Sequence, residues 1–402
     1  MSTIQGWVAP GFEEVEAEFR RNFAERGELG GACVIYSQGQ KVVDLWGGSR
    51  DHKTGAPWEE DTLVLVFSTT KGMAALTLAV AHSRGLVDYE ERVARYWPEF
   101  GQQGKDEITV RQLLSHQAGL SAIDESLDLE VLADLDALAE ILARQRPAWA
   151  PGTKHGYHCW NLGWYQSELI RRVDPEHRSL GQFFQDELAR PLGLEFYIGL
   201  PPQVPDARLA RIQPARVAQV LLNLGELPYL KLCMNPLKRG SLTYRTVMNP
   251  RILTNHNNYN RRDVRSVEIP SANGIGQVRS MAKVYSVFAT GGRELQVKEE
   301  TFRAITAPAM PPSSGLRDEV LLVDQCYALG FLRPFEKAPF GRSERAFGFG
   351  GAGGSFAFAD PEAGVGYAYA SNKMGVHAFG DPREVALRRA FYGCLGRGQG
   401  GG

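Results

Sequence analysis

Residues 66–86 read VFSTTKGMAALTLAVAHSRGL, and the character of the chain changes within them. Up to Phe67 they continue an apolar run, TLVLVF (62–67), that reads as a strand. From Thr69 the segment is rich in Ala, Leu and Met, and Arg84-Gly85 closes it with glycine where helices commonly end. At the junction stand a hydroxyl, Ser68, and an ammonium, Lys71. Three residues apart on a helix means one face, so Nζ can reach back to Oγ. The positive end of the helix also favours an anionic oxygen there. A serine hydroxyl is a poor nucleophile near neutral pH without an adjacent base, and a lysine becomes one when burial and nearby cations lower its pKa. The plain alternative is a capping serine followed by a solvated lysine, since Ser-x-x-Lys is common by chance. Against it, an idle lysine ahead of so apolar a helix would be costly.

Before this stretch, FEEVEAEFRRNFAER (12–26) places Phe12, Val15, Phe19 and Phe23 at helical spacing. GGACVIYSQGQKVVDLWGG (30–48) then reads as a hairpin around Ser-Gln-Gly-Gln. After it the pattern is mostly helical: LEVLADLDALAEILARQ (129–145), NLGWYQSELIRRV (161–173), and SLGQFFQDELARPLGL (179–194) with a Ser cap and a proline stop. Residues 201–270, rich in Pro, Asn and Arg, resist assignment; within them VLLNLGELPYLKLCM (220–234) reads as core, as a lid or as a subunit contact. Strand patterns return in YALGFLRPF (327–335) and in RAFGFGGAGGSFAFADPEAGVGYAYASNK (345–373), with DPEAG as a hairpin turn. PREVALRRAFYGCL (382–395) predicts a closing helix. Strands at both ends with helices between them predict one shared sheet with a helical insertion.

Composition narrows the function. The chain has 402 residues, 43% of them hydrophobic, enough for a sizeable core. Its net charge of -1, from 45 basic and 46 acidic residues, provides no field to steer it toward nucleic acid or an anionic membrane. The N-terminal stretch lacks the charged and apolar regions of a signal peptide, and no apolar run approaches the roughly 18 residues of a membrane span. The five cysteines are odd in number and widely spaced, with no Cys-x-x-Cys pair, so reduced thiols in a cytoplasmic protein are expected. GRGQGGG (396–402) predicts a flexible tail.

Other motifs carry less. No Gly-x-Ser-x-Gly elbow offers an α/β-hydrolase nucleophile. SANGIGQVRS (271–280) reads as the turn and cap of a helix. His155 and His158, three apart, lack a third ligand, so no metal is expected. GGAGG lies inside a strand pattern, and no phosphate-binding loop is found; no cofactor is expected.

FSTTKGMAALTLAVAHSRGLVDYEERVARYWPEF (67–100), followed by ITVRQLLSHQAGL (108–120), resembles the serine β-lactamase and penicillin-binding-protein family. The likeness is closest to the class C β-lactamases and the family VIII carboxylesterases built on their fold, and it extends over residues 10–395. The resemblance implies an α+β, β-lactamase/transpeptidase-like fold: an antiparallel sheet flanked by helices, plus an all-helical domain. Residues 1–67 and 275–395 would form the sheet domain and 68–274 the helical one, with a candidate lid near 201–270. It also implies a proton-transferring tyrosine after a Pro-Gly-Thr, matched by Tyr157 in WAPGTKHGYHCWNLGWY (149–165). A third motif, Lys-Thr-Gly, is matched by Phe349-Gly350-Gly351 in FGFGGAGGS; there the N–H of Ala352 would join that of Ser68 in an oxyanion hole. His116, in LLSHQAGL, would be a buried hydrogen-bonding residue.

Two departures bear on substrate. Tyr157-His158-Cys159 lacks the asparagine of Tyr-x-Asn that would bind a substrate amide, and Phe349 replaces a lysine that would bind a carboxylate. Both favour a neutral ester packing on rings, with Trp160, Phe349 and Tyr165 as candidates and Gly350 and Gly351 as backbone surface. The expected activity is a carboxylesterase acting on short acyl esters through Ser68, Lys71 and Tyr157, without cofactor or metal. The alternatives are a β-lactamase or D-amino-acid peptidase, or a non-catalytic relative that binds a ligand or assembles with itself. The expected partner is a small ester; self-association stays open.

Overall fold

The structure, a computed structural model, describes residues 3–215, 240–377 and 380–398. VLLNLGELPYLKLCM, with Cys233, lies outside them. The hairpin legible at 30–48 is β2 (Gly30–Ser37) and β3 (Gln40–Gly48), paired antiparallel across Gln38 (φ +49°) and Gly39 (φ +77°). Two left-handed residues in succession give the turn whose twist matches that of the strands. β1 (Ile4–Val8) adds to β3. On the other side β2 pairs with β11 (Val365–Ser371), followed by β10 (Phe356–Asp360), β9 (Phe347–Gly350), β8 (Phe331–Leu332) and β7 (Tyr327–Ala328). The antiparallel order β1-β3-β2-β11-β10-β9-β8-β7 brings the two ends of the sequence into one sheet.

The strands alternate in size as well as in direction. Ala32, Val34, Ala357, Ala359, Ala368 and Ala370 face one core, while Cys33, Ile35, Phe358, Tyr367 and Tyr369 face the other. Successive side chains of a strand point to opposite faces, so one face is nearly smooth and the other aromatic. On the smooth face lies the helix Val278–Ala289, so close that a methyl on Gly366 would stand 2.3 Å from the Ser286 nitrogen. The aromatic face is covered by α1 (Glu13–Ala24) and the C-terminal helix Pro382–Gly398, through Val15, Phe19, Leu387 and Phe391. The helix after the opening stretch, α2 (Thr69–Ser83), is buried along almost its whole length between the sheet and the remaining helices.

Several elements differ from their reading. TLVLVF contributes only Val64–Leu65 (β4), and to a second sheet, β4-β6-β5, with β5 (Phe196–Tyr197) and β6 (Ile275–Gly276). YALGFLRPF is not one strand: Leu329 (φ +51°) and Gly330 (φ +88°) fold it back into the β7–β8 hairpin. The helix over 129–145 breaks at Asp134, whose carboxylate accepts from the Asp136 and Ala137 amides and caps a new helix, Leu135–Arg144. Ser179 caps its helix as expected, but Pro191 does not stop it. A π-turn over Gln185–Ala189 absorbs the missing donor, and the helix runs to Leu192 and left-handed Gly193.

Candidate functional site

Ser68 sits on a sharp corner. β4 ends at Leu65, and Phe67 then takes φ +47°, a left-handed conformation uncommon for a bulky residue. Such strain persists only where the surroundings over-determine it. Here the Phe67 ring packs edge-on against His256 (5.6 Å) and Tyr259 (5.1 Å). The Val66 amide donates to Gly274 O (3.0 Å), and the Gly274 amide to Thr70 Oγ1 (2.8 Å). This lacing turns Ser68 outward, half-buried, at the N-terminus of α2.

One turn on, Lys71 is wholly buried. In its charged form it donates to Ser68 Oγ (3.3 Å), Cys159 O (2.7 Å) and Ser271 O (3.0 Å). Burial lowers its pKa to about 7. Tyr157 donates from its phenol to Ser68 Oγ at 2.8 Å, and its ring centroid is 4.7 Å from Lys71 Nζ. Three side chains from two distant stretches of sequence therefore meet at one oxygen.

The Gly351–Gly354 turn between β9 and β10 closes on the same corner. A methyl on Gly351 would lie 2.2 Å from Val66 O and 2.4 Å from Ser355 Oγ. Ser355 Oγ donates to Val66 O (2.8 Å) and is 3.0 Å from Thr69 Oγ1, which ties the turn to the start of α2. Among the described residues, neither the Ser68 nor the Ala352 N–H has a protein acceptor. Ala352 is exposed and Gly350 half-buried.

The ring candidates fare unequally. Phe349 is only 2% exposed, its ring beside that of Tyr157 (6.3 Å) and 5.8 Å from Lys71 Nζ. It backs the site instead of forming an open wall, because the odd positions of β9, paired with Ala357 and Ala359, point to the face of the sheet on which α2 lies. Trp160 is half-buried and donates its indole N–H to Val247 O at 3.0 Å. Tyr165 is buried among Trp97, Phe100 and His158, away from any opening. Cys159, in the place of the asparagine, offers its carbonyl to Lys71, and its thiol is pushed up to about 11 by burial.

Ser271 and Ser355 were not found as site residues in the sequence. Ser271 caps a helix, but the one at Leu162–Val173, accepting the Gly163 amide, and its carbonyl holds Lys71. His155 and His158 do not converge: His155 Nε2 meets Leu316 O at 2.9 Å, and His158 turns to His116. Among the described residues, no group of three or more His, Cys, Asp or Glu is placed to hold a metal, and no helix is long and apolar enough to cross a membrane.

A family model described as Beta-lactamase matches residues 15–390. An esterase/beta-lactamase of Mycobacterium tuberculosis, LipL, is 34% identical over 375 residues, 92% of this chain and 83% of that protein. Among solved structures, a family VIII carboxylesterase is similar at TM-score 0.83 and 38% identity, covering 98% of this chain and 100% of that one. A penicillin-binding protein homolog from Caulobacter crescentus is similar at TM-score 0.83 and 36% identity, with the same coverage.

Proposed function

The chain belongs to the Beta-lactamase family and has the β-lactamase/transpeptidase-like fold of its serine hydrolases; from that premise we propose that it is a carboxylesterase, acting on short-chain acyl esters through an acyl-enzyme on Ser68. The observation that carries this reading is the convergence of Lys71 Nζ and Tyr157 Oη on Ser68 Oγ, at 3.3 and 2.8 Å.

The hydrogen-bond count around Lys71 supports its role as the first base. Charged, it has three N–H groups for three acceptors. Neutral, it keeps two for the Cys159 and Ser271 carbonyls and turns its lone pair to the Ser68 hydroxyl. Either state is satisfied, so the proton can come and go without rearrangement. Ser68 Oγ attacks the ester carbonyl as its proton passes to Lys71. The oxyanion is received by the Ser68 and Ala352 amides, an arrangement in which one donor is typically worth about 3 kcal/mol. When the C–O bond breaks, Tyr157 gives its proton to the leaving alcohol and is resupplied by Lys71. Water then adds to the acyl-enzyme, its proton returns through the same pair to Ser68, and the acid departs.

Phe349 and Cys159 stand where a lysine and an asparagine would bind a carboxylate and an amide. Their replacement favours neutral esters over lactams and peptides. The test is turnover of p-nitrophenyl acetate and butyrate beside nitrocefin. The esters are expected to be hydrolysed well, the lactam weakly, and Ser68→Ala to abolish both. A preference for nitrocefin would return the reading to a β-lactamase, and wild-type rates in Ser68→Ala would remove the nucleophile.

A further inference from the structure

His116 ends the LLSH segment in a left-handed conformation, φ +61°. It follows the short helix Val110–Leu114, which begins with a capping box between Thr109 and Gln112. The turn is fastened to the β7–β8 hairpin: the Gly330 amide donates to Leu114 O (2.9 Å) and the Leu329 amide to Ser115 Oγ (3.2 Å). From this anchored position His116 holds the chain on both sides of Tyr157. Its carbonyl accepts the Gly156 amide at 3.1 Å, and its ring Nδ1 accepts the His158 amide at 3.0 Å.

The second bond fixes the chemistry of the ring. A nitrogen that accepts an amide hydrogen carries a lone pair, so the proton of His116 is on Nε2. The His158 ring completes the clamp with its Nδ1 proton, which lies between Gly156 O (3.0 Å) and His116 Nδ1 (2.9 Å). Both imidazoles are wholly buried, and neither Nε2 has a hydrogen-bond partner among the described residues. Burial together with the nearby Lys71 charge keeps them neutral: His158 is lowered to about 3 and His116 well below its ordinary value. An apolar side chain at 116 would fill the same space but leave the His158 amide unpaired, which is itself costly.

We propose that His116 is the positioning residue for the proton-transferring tyrosine: with its carbonyl and its Nδ1 it fixes residues 156 and 158, and so sets where the Tyr157 phenol stands. The inference rests on the reading above, in which Tyr157 protonates the leaving alcohol. The phenol oxygen is at the far end of a long side chain, so a small tilt of its backbone is magnified. A displacement of about 1 Å can cost roughly 100-fold in rate.

The leaving group separates positioning from mere stability. A p-nitrophenolate departs with little help, whereas an ethoxide needs its proton. His116→Gly suits φ +61° and keeps the carbonyl while deleting the ring; His116→Asn tolerates that φ and offers Oδ1 as a substitute acceptor. With His116→Gly, kcat/KM, which reports the acylation step in which the alcohol departs, is expected to fall roughly 100-fold on ethyl butyrate and less than about tenfold on p-nitrophenyl butyrate. His116→Asn should recover most of the loss on the ethyl ester. The ratio of the two rates in one preparation does not depend on how much of the protein is folded; should the glycine chain not fold at all, His116→Ser takes its place. Equal losses on the two esters, or an asparagine variant no better than glycine, would overturn the proposal. A Ser68→Ala control that keeps wild-type turnover would instead overturn the functional reading beneath it.

Discussion

In the proposed mechanism Lys71 must lose a proton before it can accept one from Ser68, and its surroundings set when this happens. Burial lowers its pKa from the ordinary lysine range to about 7. Among the described residues no carboxylate hydrogen-bonds to it; around it are the Tyr157 and Phe349 rings, the Cys159 carbonyl and thiol, the Ser271 carbonyl, and His116 and His158, both neutral. Below pH 7 the ammonium form prevails and the base is lost; above it the amine is free. We therefore expect kcat/KM on p-nitrophenyl butyrate to rise with pH and reach half its plateau near the pKa of about 7. A profile flat from pH 5 to 9 would contradict the assignment. Lys71→Arg keeps a charge that does not titrate in this range, and should lower kcat by at least about 100-fold. The meeting of Ser68 and Lys71 was legible in their three-residue spacing, and that of Tyr157 with them only through the Pro-Gly-Thr motif that the resemblance supplies. Ser271 was not, because it contributes a main-chain carbonyl, which any residue type could supply.

The approach of α2 to β9 decides whether the corner is tight. Gly72 permits it: a methyl there would lie 2.0 Å from Tyr285 Oη and 3.3 Å from Phe349 Cβ, both buried. Gly72→Ala should cost about 1–3 kcal/mol by overpacking, read as a lower urea midpoint at unchanged slope. It should also lower kcat, since Phe349 backs both Lys71 and Tyr157. At this scale the sequence was only partly readable. Hydrophobic runs announced TLVLVF and YALGFLRPF, but periodicity states that a segment is apolar, not what it pairs with. The first joins a small second sheet because residues 274–276 lie alongside it, and the second folds on itself at Leu329-Gly330. The helices capped by Asp128 and Ser179 were read near their true starts, whereas those capped by Thr109 and Ser241 were not read. The break at Asp134 follows from the same capping chemistry acting in mid-run.

Across the whole molecule, the two ends of the chain are joined at Arg383. Its guanidinium pairs with Glu28 (3.1 Å), just before β2, and with Asp381 (2.9 Å). It also donates to Lys373 O (2.9 Å) and to Gly353 O (2.8 Å), the latter within the turn that presents Ala352. One buried cation therefore braces the sheet, the C-terminal helix and the glycine turn together. Arg383→Met would leave two buried carboxylates unpaired, a change that typically costs about 3–5 kcal/mol. We expect a lowered Tm and, in the fraction still folded, a fall in kcat greater than in KM. The joining of the chain ends in one sheet was visible in the sequence as strand patterns at both termini. The cation that locks them was not, because Glu28 and Arg383 meet only through the fold.

All of this depends on Ser68 becoming covalently acylated. Mixing the protein with p-nitrophenyl butyrate, quenching in acid during the first turnovers and mapping the digest by mass spectrometry tests that directly. The account predicts a butyryl group on the peptide that carries Ser68, and none in Ser68→Ala. Ester turnover with the butyryl group on another residue, or with no acylated enzyme at any time point, would contradict it.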